Sequence, residues 1–189
     1  MAGALLIISG PSGVGKTTIC KEFVRRLDAF LSVSATTRPQ RANEVDGVDY
    51  YFLSTEEFER RLARGEFLEF AKVYGDQYYG TPAGPVMDAL AGGRTVILEI
   101  EIGGTLQVVK RYPEALTIYI LAPTAEEQKD RIEGRRRDSA EAIQERLKKA
   151  DGEIRWAQDC GAYRHFLVND TVEGTVDEII RLMRESGSR

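Results

Sequence analysis

Apolar residues recur along this chain in two rhythms. Short, largely apolar runs at 5–9, 30–34, 95–100, 116–121 and 165–168 have the length and composition of strands buried on both faces. Between them lie longer stretches with apolar residues every three or four positions, the helical period. Strand-like runs alternating with helical stretches predict an α/β fold, a mainly parallel sheet with helices on both faces.

Helix starts are marked by their caps. Ser54 is followed by Glu57 and Thr124 by Glu127, the hydroxyl-to-carboxylate spacing of a capping box, and Gly65 closes the first of these helices. A third helix opens at Asp138-Ser139-Ala140-Glu141 and carries one apolar stripe at Ile143, Leu147, Ala150, Ile154 and Ala157. Segment 39–79 breaks the pattern. Its alternating aromatics, Tyr50, Phe52, Phe67 and Phe70, separated by turn residues, predict a small, partly antiparallel insertion on the parallel core.

The bulk composition narrows the function classes. With 189 residues, 42% hydrophobic and 30% charged, the chain has the size of one domain able to bury a core without disulfides. The apolar first residues are too few for a membrane span or a leader, so a soluble, untargeted, cytoplasmic protein with no membrane partner is expected. Cys20 and Cys160 are far apart and His165 is the only histidine, which excludes a Cys/His zinc site and predicts two small buried thiols in a reducing compartment. A net charge of −4 argues against nucleic acid as a partner. Local arginine clusters at Arg38/Arg41 and Arg131/Arg135/Arg136/Arg137 suit a small polyphosphate instead.

Gly10-Pro11-Ser12-Gly13-Val14-Gly15-Lys16-Thr17 matches G-x-x-x-x-G-K-[ST] between a predicted strand and the helical run 18–27. Glycines let successive backbone N–H groups turn inward on phosphate oxygens, and the following helix N-terminus adds partial positive charge. Lys16 is expected to reach the β- and γ-phosphates and the Thr17 hydroxyl to coordinate magnesium, with Thr18 completing the ATP side. The loop by itself leaves kinases, GTPases, ATPases and transport motors open.

The acceptor must be read elsewhere. Ser34-Ala35-Thr36-Thr37-Arg38-Pro39-Gln40-Arg41 is followed by Glu44-Val45-Asp46-Gly47-Val48-Asp49-Tyr50-Tyr51-Phe52. Two arginines three apart, with Ser34 and Tyr50 nearby, could clamp a phosphate dianion. A solvated turn is the alternative reading of the same residues.

Together these stretches resemble the GMP-binding signature of guanylate kinases, S-x-T-T-R-x-x-R followed by E-x-D-G-x-D-Y-x-F, and the resemblance covers essentially the whole chain. It implies one guanylate-kinase-like domain, with a core of 1–34, 80–122 and 160–189, a GMP-binding insertion at 35–79 and a lid at 123–159. It implies that Arg38, Arg41, Tyr50 and Tyr79 hold the GMP phosphate, supported by Ser34. Phe67-Leu68-Glu69-Phe70-Ala71 and Tyr78-Tyr79-Gly80-Thr81 match the family's F-[IL]-E-[WF]-A and Y-Y-G-[TS], making Glu69 and Thr81 the implied guanine readers. A carboxylate accepts both N1–H and the N2 amino group of guanine, whereas adenine would turn a lone pair toward it.

The run 95–101 ends in Glu99 and Glu101, where the family shows L-[ED]-I-D-x-Q-G. This chain has Glu101 for Asp and Gly103 for Gln, and Gly75-Asp76-Gln77-Tyr78 carries one residue more than the shorter G-N-Y-Y form. Glu99 and Glu101 are assigned to the acceptor side, with Glu101 also reaching magnesium through water. Arg131, Arg135 and Arg146 match the family's lid arginines and are implied, with Lys16 and Arg38, to be catalytic. Arg136 and Arg137 stand where the family often has G-T, and read as solvated charge. Val168-Asn169-Asp170 resembles the family's V-N-D, so Asn169 either contacts adenine or forms an Asx turn capping the last helix.

The implied reaction is transfer of the γ-phosphoryl group of ATP to GMP with Mg2+. A catalytically silent guanylate-kinase-like binding module and a related kinase acting on a sugar phosphate are the rival readings. A regulatory GTPase is disfavoured because no N-K-x-D is present.

Overall fold

The structure, a computed structural model, describes residues 3–73, 76–134 and 140–186. Its larger sheet is parallel throughout, in the order β2 (Phe30–Leu31), β7 (Val96–Glu99), β1 (Leu5–Ser9), β8 (Leu116–Leu121), β9 (His165–Val168). Each of the five strand-like runs contains one of these strands; β1, β7 and β8 are buried as expected, whereas the edge strands β2 and β9 are only partly buried.

Pleating sends alternate side chains of β1 to opposite faces. Leu6 and Ile8 pack with Ile19, Cys20 and Phe23 of α1 (Lys16–Leu27) and Val176 and Ile179 of α7 (Val172–Ser186). Leu5 and Ile7 pack on the other face with Val86 and Ala89 of α3 (Ala83–Ala91) and Val108 of α4 (Ile102–Arg111). With both faces covered, a run that is apolar at every position is what the sheet requires.

The second sheet has the order β4 (Tyr51–Phe52), β3 (Ala35–Thr36), β6 (Gln77–Pro82), β5 (Phe67–Val73). β3 and β5 run antiparallel to β6, while β4 is parallel to β3. One side is closed by α2 (Thr55–Ala63), whose Phe58 stacks on Phe67 with ring centroids 4.3 Å apart and on Tyr78 at 5.1 Å. The Ser54 and Thr124 hydroxyls accept from the amides of Glu57 and Glu127, both at 3.1 Å, and so cap α2 and α5 (Ala125–Glu133). The third predicted helix is α6 (Ala140–Asp159), in whose stripe Ala150 and Ala157 are buried, while its predicted cap at Asp138-Ser139 lies outside the described residues.

Some expectations are corrected. The run at 30–34 is a strand only to Leu31, because the Ser34 carbonyl accepts from Tyr51 N at 2.9 Å and the chain has already crossed to the second sheet. The second sheet's β6 runs from Gln77 to Pro82 and so spans position 79, the expected end of the insertion. α1 begins at Lys16 rather than at 18, which sets Lys16 and Thr17 in its first turn. Cys20 is buried, but Cys160 is only partly so, its thiol turned to the Ala157 carbonyl. Among the described residues, no helix is long and apolar enough to cross a membrane.

Candidate active site

β1 ends at Ser9, and the glycine-rich loop leads from there into α1 at the carboxyl edge of the parallel sheet, where open α/β sheets form their ligand crevices. Gly13 and Gly15 have φ of 85° and 92°, a left-handed conformation that side chains with a Cβ resist. Gly15 is also closely approached, since a Cβ there would stand 2.5 Å from Asn169 Nδ2. The Lys16 ammonium donates to the carbonyls of Gly10 and Pro11 at 2.7 and 2.9 Å. Burial pushes its pKa down, opposed first by the negative charge of Glu99.

Thr17 donates its hydroxyl to Glu99 Oε1 at 2.9 Å, tying the start of α1 to the end of β7. These are two hard oxygen groups side by side at the base of the loop, the donor type that suits magnesium. Glu101 occupies the N-cap position of α4, its exposed side chain making no capping hydrogen bond.

Two distant segments brace the loop. Asn169 is 3% exposed; its Nδ2 donates to the Val14 carbonyl at 2.8 Å and its Oδ1 accepts from Thr175. Gln128 Nε2 donates to the Ser12 carbonyl at 2.7 Å. The last helix is capped not by an Asx turn at Asn169 but by Thr171, whose Oγ1 accepts from Gly174 N. Arg131 donates through both Nη atoms to the Asn169 carbonyl at 3.2 Å and pairs with Glu127. Gly13, Gly15, Thr18, Arg131, Asn169 and Asp170 line a cleft of about 310 Å³ beside the loop. Arg135, Arg136 and Arg137 lie outside the described residues, and of Arg146 only its place in α6 is described.

The second cluster is built on the small sheet. Thr36 Oγ1 donates to the Tyr78 carbonyl and accepts from Arg38 N, and Thr37 Oγ1 accepts from Tyr78 N, so the Thr36-Thr37 pair fastens β3 to β6. That lays Arg38 against Tyr79, whose hydroxyl accepts from Arg38 Nε at 3.2 Å. The guanidinium also lies over the rings of Tyr50 and Phe52, at 5.3 and 5.6 Å from their centroids, and Tyr50 meets Tyr79 edge-on. Ser34 and Arg41 stand at the two ends of this segment, Ser34 half-buried and Arg41 exposed.

Glu69 and Thr81 are direct cross-strand partners in β5 and β6. The Thr81 hydroxyl donates to Glu69 Oε1 at 2.7 Å, and both residues are buried. Burial pushes the Glu69 carboxyl up; hydrogen bonds from Thr81 oppose this, and the charge of Glu101 adds to it.

Four contributing residues escaped the sequence reading. Glu44 holds Arg38 by two hydrogen bonds, and Gln128 braces the loop as described above. Gln107 on α4 exchanges two hydrogen bonds with the Phe70 backbone, next to Glu69. Glu153 is set into the stripe of α6 between Ala150 and Ala157; burial raises its carboxyl, Glu101 adds to that and Lys16 opposes it. Two of them leave a sequence signal: Glu44 opens the E-x-D-G-x-D-Y-x-F stretch, where no role was assigned to it, and Glu153 is a carboxylate inside an apolar helical stripe.

The guanylate kinase family model matches residues 2–186. A guanylate kinase of Clostridium tetani is 47% identical over 177 residues, 94% of this chain and 83% of its own. One of Symbiobacterium thermophilum is 43% identical, over 99% of this chain and 87% of that one. The crystal structure of guanylate kinase from Anaplasma phagocytophilum superposes with a TM-score of 0.76 at 33% identity, covering 97% of this chain and 86% of that one.

Proposed function

For a chain that belongs to the guanylate kinase family, and so transfers the γ-phosphoryl group of ATP to GMP, we propose that the glycine-rich loop and lid hold ATP while the small sheet holds GMP. The observation that carries this division is the placement of Tyr79 and Thr81 on β6. Residues two apart on a strand share a face about 7 Å apart. One end of that face meets Arg38 and the other meets Glu69, a cation beside a hydroxyl for the phosphate and a carboxylate beside a hydroxyl for guanine.

On the ATP side, residues 10–18 wrap the phosphates, and Lys16 exchanges its two loop carbonyls for phosphate oxygens. Asn169 serves ATP by holding the Val14 carbonyl, and so the loop's shape. Arg131, with Arg135 and Arg146, closes over the transferring group. Thr17, with Glu99 and Glu101 acting through water, would hold Mg2+, which supplies charge neutralisation on the β- and γ-phosphate oxygens.

On the acceptor side, Arg38, Arg41, Tyr50 and Tyr79 hold the GMP phosphate, with Ser34 supporting them. With a second pKa of about 6, a phosphate monoester is largely dianionic at neutral pH, so the nucleophile needs no general base. Closure of the 35–79 insertion and the 123–159 lid over the core would exclude water, which would otherwise compete as acceptor. Two free cysteines suit the reducing cytoplasm.

The test is magnesium-dependent ADP formation from ATP with GMP, AMP, CMP, UMP and ribose phosphates as separate acceptors. Turnover with GMP, lost in Lys16→Met and with a raised KM for GMP in Arg38→Met, is the expected result. Turnover with a sugar phosphate, or GMP binding with no turnover, would overturn the assignment.

A further inference from the structure

Glu44 sits beside the acceptor site but has no place in the chemistry above. Its Oε1 accepts from Arg38 Nη2 at 2.8 Å and its Oε2 from Arg38 Nη1 at 2.9 Å, with both side chains only 12% exposed. Oε2 also accepts from the backbone N–H of Arg41 at 2.9 Å. The carboxylate therefore joins the side chain of one acceptor arginine to the main chain of the other. The loop around it is closed further by Gln40 Nε2, which donates to the Glu44 carbonyl, and by Glu44 N, which donates to the Arg41 carbonyl.

A donor count gives this arrangement its meaning. A guanidinium has five N–H donors. In Arg38 the Nε–H goes to Tyr79, the two on Nη1 serve the Pro39 carbonyl and Glu44 Oε2, and one on Nη2 serves Glu44 Oε1. One Nη2–H is left. The Tyr79 oxygen already accepts from Arg38, so its own proton is free to be donated elsewhere. The rings of Tyr50 and Phe52 confine the guanidinium plane, and Arg38 holds the Glu44 carboxyl down at about 2, ionised at any working pH.

Resting on the GMP assignment above, we propose that Glu44 is a positioning residue for the acceptor phosphate. It pins Arg38 so that the guanidinium offers one N–H, in register with the Tyr79 proton, and it holds the Arg41 main chain in the same frame. A fork already fixed by a carboxylate loses little freedom when phosphate arrives. A fork released from it would meet the phosphate in many orientations.

Steady-state kinetics on Glu44→Gln, Glu44→Asp, Arg38→Met and the Arg38→Met/Glu44→Gln double variant test this. Glu44→Gln keeps the shape but turns an N–H2 toward Arg38; it should raise KM for GMP about tenfold while KM for ATP stays within about twofold. Glu44→Asp, which keeps the charge, should fall between it and the parent. In the Arg38→Met background, Glu44→Gln should add nothing, since the pair acts as one unit. An unchanged KM for GMP in Glu44→Gln, equal losses for ATP and GMP with a lowered melting temperature, or additive effects in the double variant would each overturn the proposal. If Arg38→Met itself leaves KM for GMP unchanged, the acceptor assignment fails, and the role of Glu44 with it.

Discussion

Thr81 and Glu69 face each other across β5 and β6, and the Thr81 hydroxyl donates its proton to Glu69 Oε1 at 2.7 Å. The two proposed guanine readers therefore satisfy one another when no base is present. Guanine would take over both ends of that bond, with its N–H groups on the carboxylate and its O6 on the released hydroxyl. A base with the opposite donor pattern would break the pair and replace it with nothing.

Glu69→Gln should lower kcat/KM for GMP about a hundredfold and leave KM for ATP unchanged, because a buried site built for two N–H donors would present one of its own. Competition between GMP and AMP in the coupled ADP assay measures this directly.

The same substitution should stabilise the fold at neutral pH. Burial raises the Glu69 carboxyl above the usual carboxylate range, so between the unfolded and folded values the folded chain holds the extra proton and stability falls as pH rises. Above the folded value Glu69 is a buried charge, a cost that glutamine lacks. Urea unfolding at about pH 7 should favour Glu69→Gln over the parent, and the gap should narrow as pH falls toward about 3, below the unfolded value of about 4.3, where the parent carboxyl is neutral in both states.

Gly104→Ala should damage GMP use by displacement. A Cβ at 104 would stand 2.5 Å from Glu69 Oε2 and 3.0 Å from its Cδ, so the carboxylate must move. Alanine otherwise favours a helix over glycine by about 1 kcal/mol. kcat/KM for GMP should fall about tenfold or more, with KM for ATP held, because small misplacements of a positioned group are costly.

Asn169→Leu should do the reverse, raising KM for ATP more than KM for GMP. It leaves the Val14 carbonyl and the Thr175 hydroxyl without their partner in a buried place, at a cost of about 1–3 kcal/mol for each group. Denaturation midpoints and the two KM values separate the stability loss from the substrate effect.

Gln107→Ala should loosen Glu69 without touching it. Gln107 exchanges two hydrogen bonds with the Phe70 backbone and so ties β5 to α4. Its loss should raise KM for GMP, and speed hydrogen exchange at the Phe70 amide, with the β1 amides unaffected.

The core was legible because a strand covered on both faces has to be apolar at every position, and the runs at 5–9 and 116–121 coincide with β1 and β8; the run at 165–168 is the edge strand β9, whose Phe166 and Val168 are exposed. Strands of two residues, such as β3 and β4, have no room to show a period. The run at 30–34 misled because nothing in Ser32-Val33-Ser34 marks the crossing: Ser32 N still donates to Ile97 of the first sheet, while the Ser34 carbonyl already accepts from Tyr51 of the second. Residues in the glycine-rich loop and the paired motifs carry their chemistry locally and could be read in place. Gln107 and Gln128 could not, since a polar residue on a helix looks like surface until the fold supplies its partner, and Glu44 stood inside a motif whose spacing does not show that it grips Arg38. Asn169 shows the same limit, for the carbonyl it holds lies 155 residues away along the chain.

That separation bears on the order in which the protein is made. The loop at 10–17 leaves the ribosome well before the side-chain amides that hold its Ser12 and Val14 carbonyls, which belong to Gln128 and Asn169. A nascent chain can lay β1 beside β7 before either arrives, but its loop has no fixed form to offer a nucleotide. Competence for ATP is therefore acquired only once Asn169 has emerged, and a fragment released before it would carry the complete loop motif without the ability to use it.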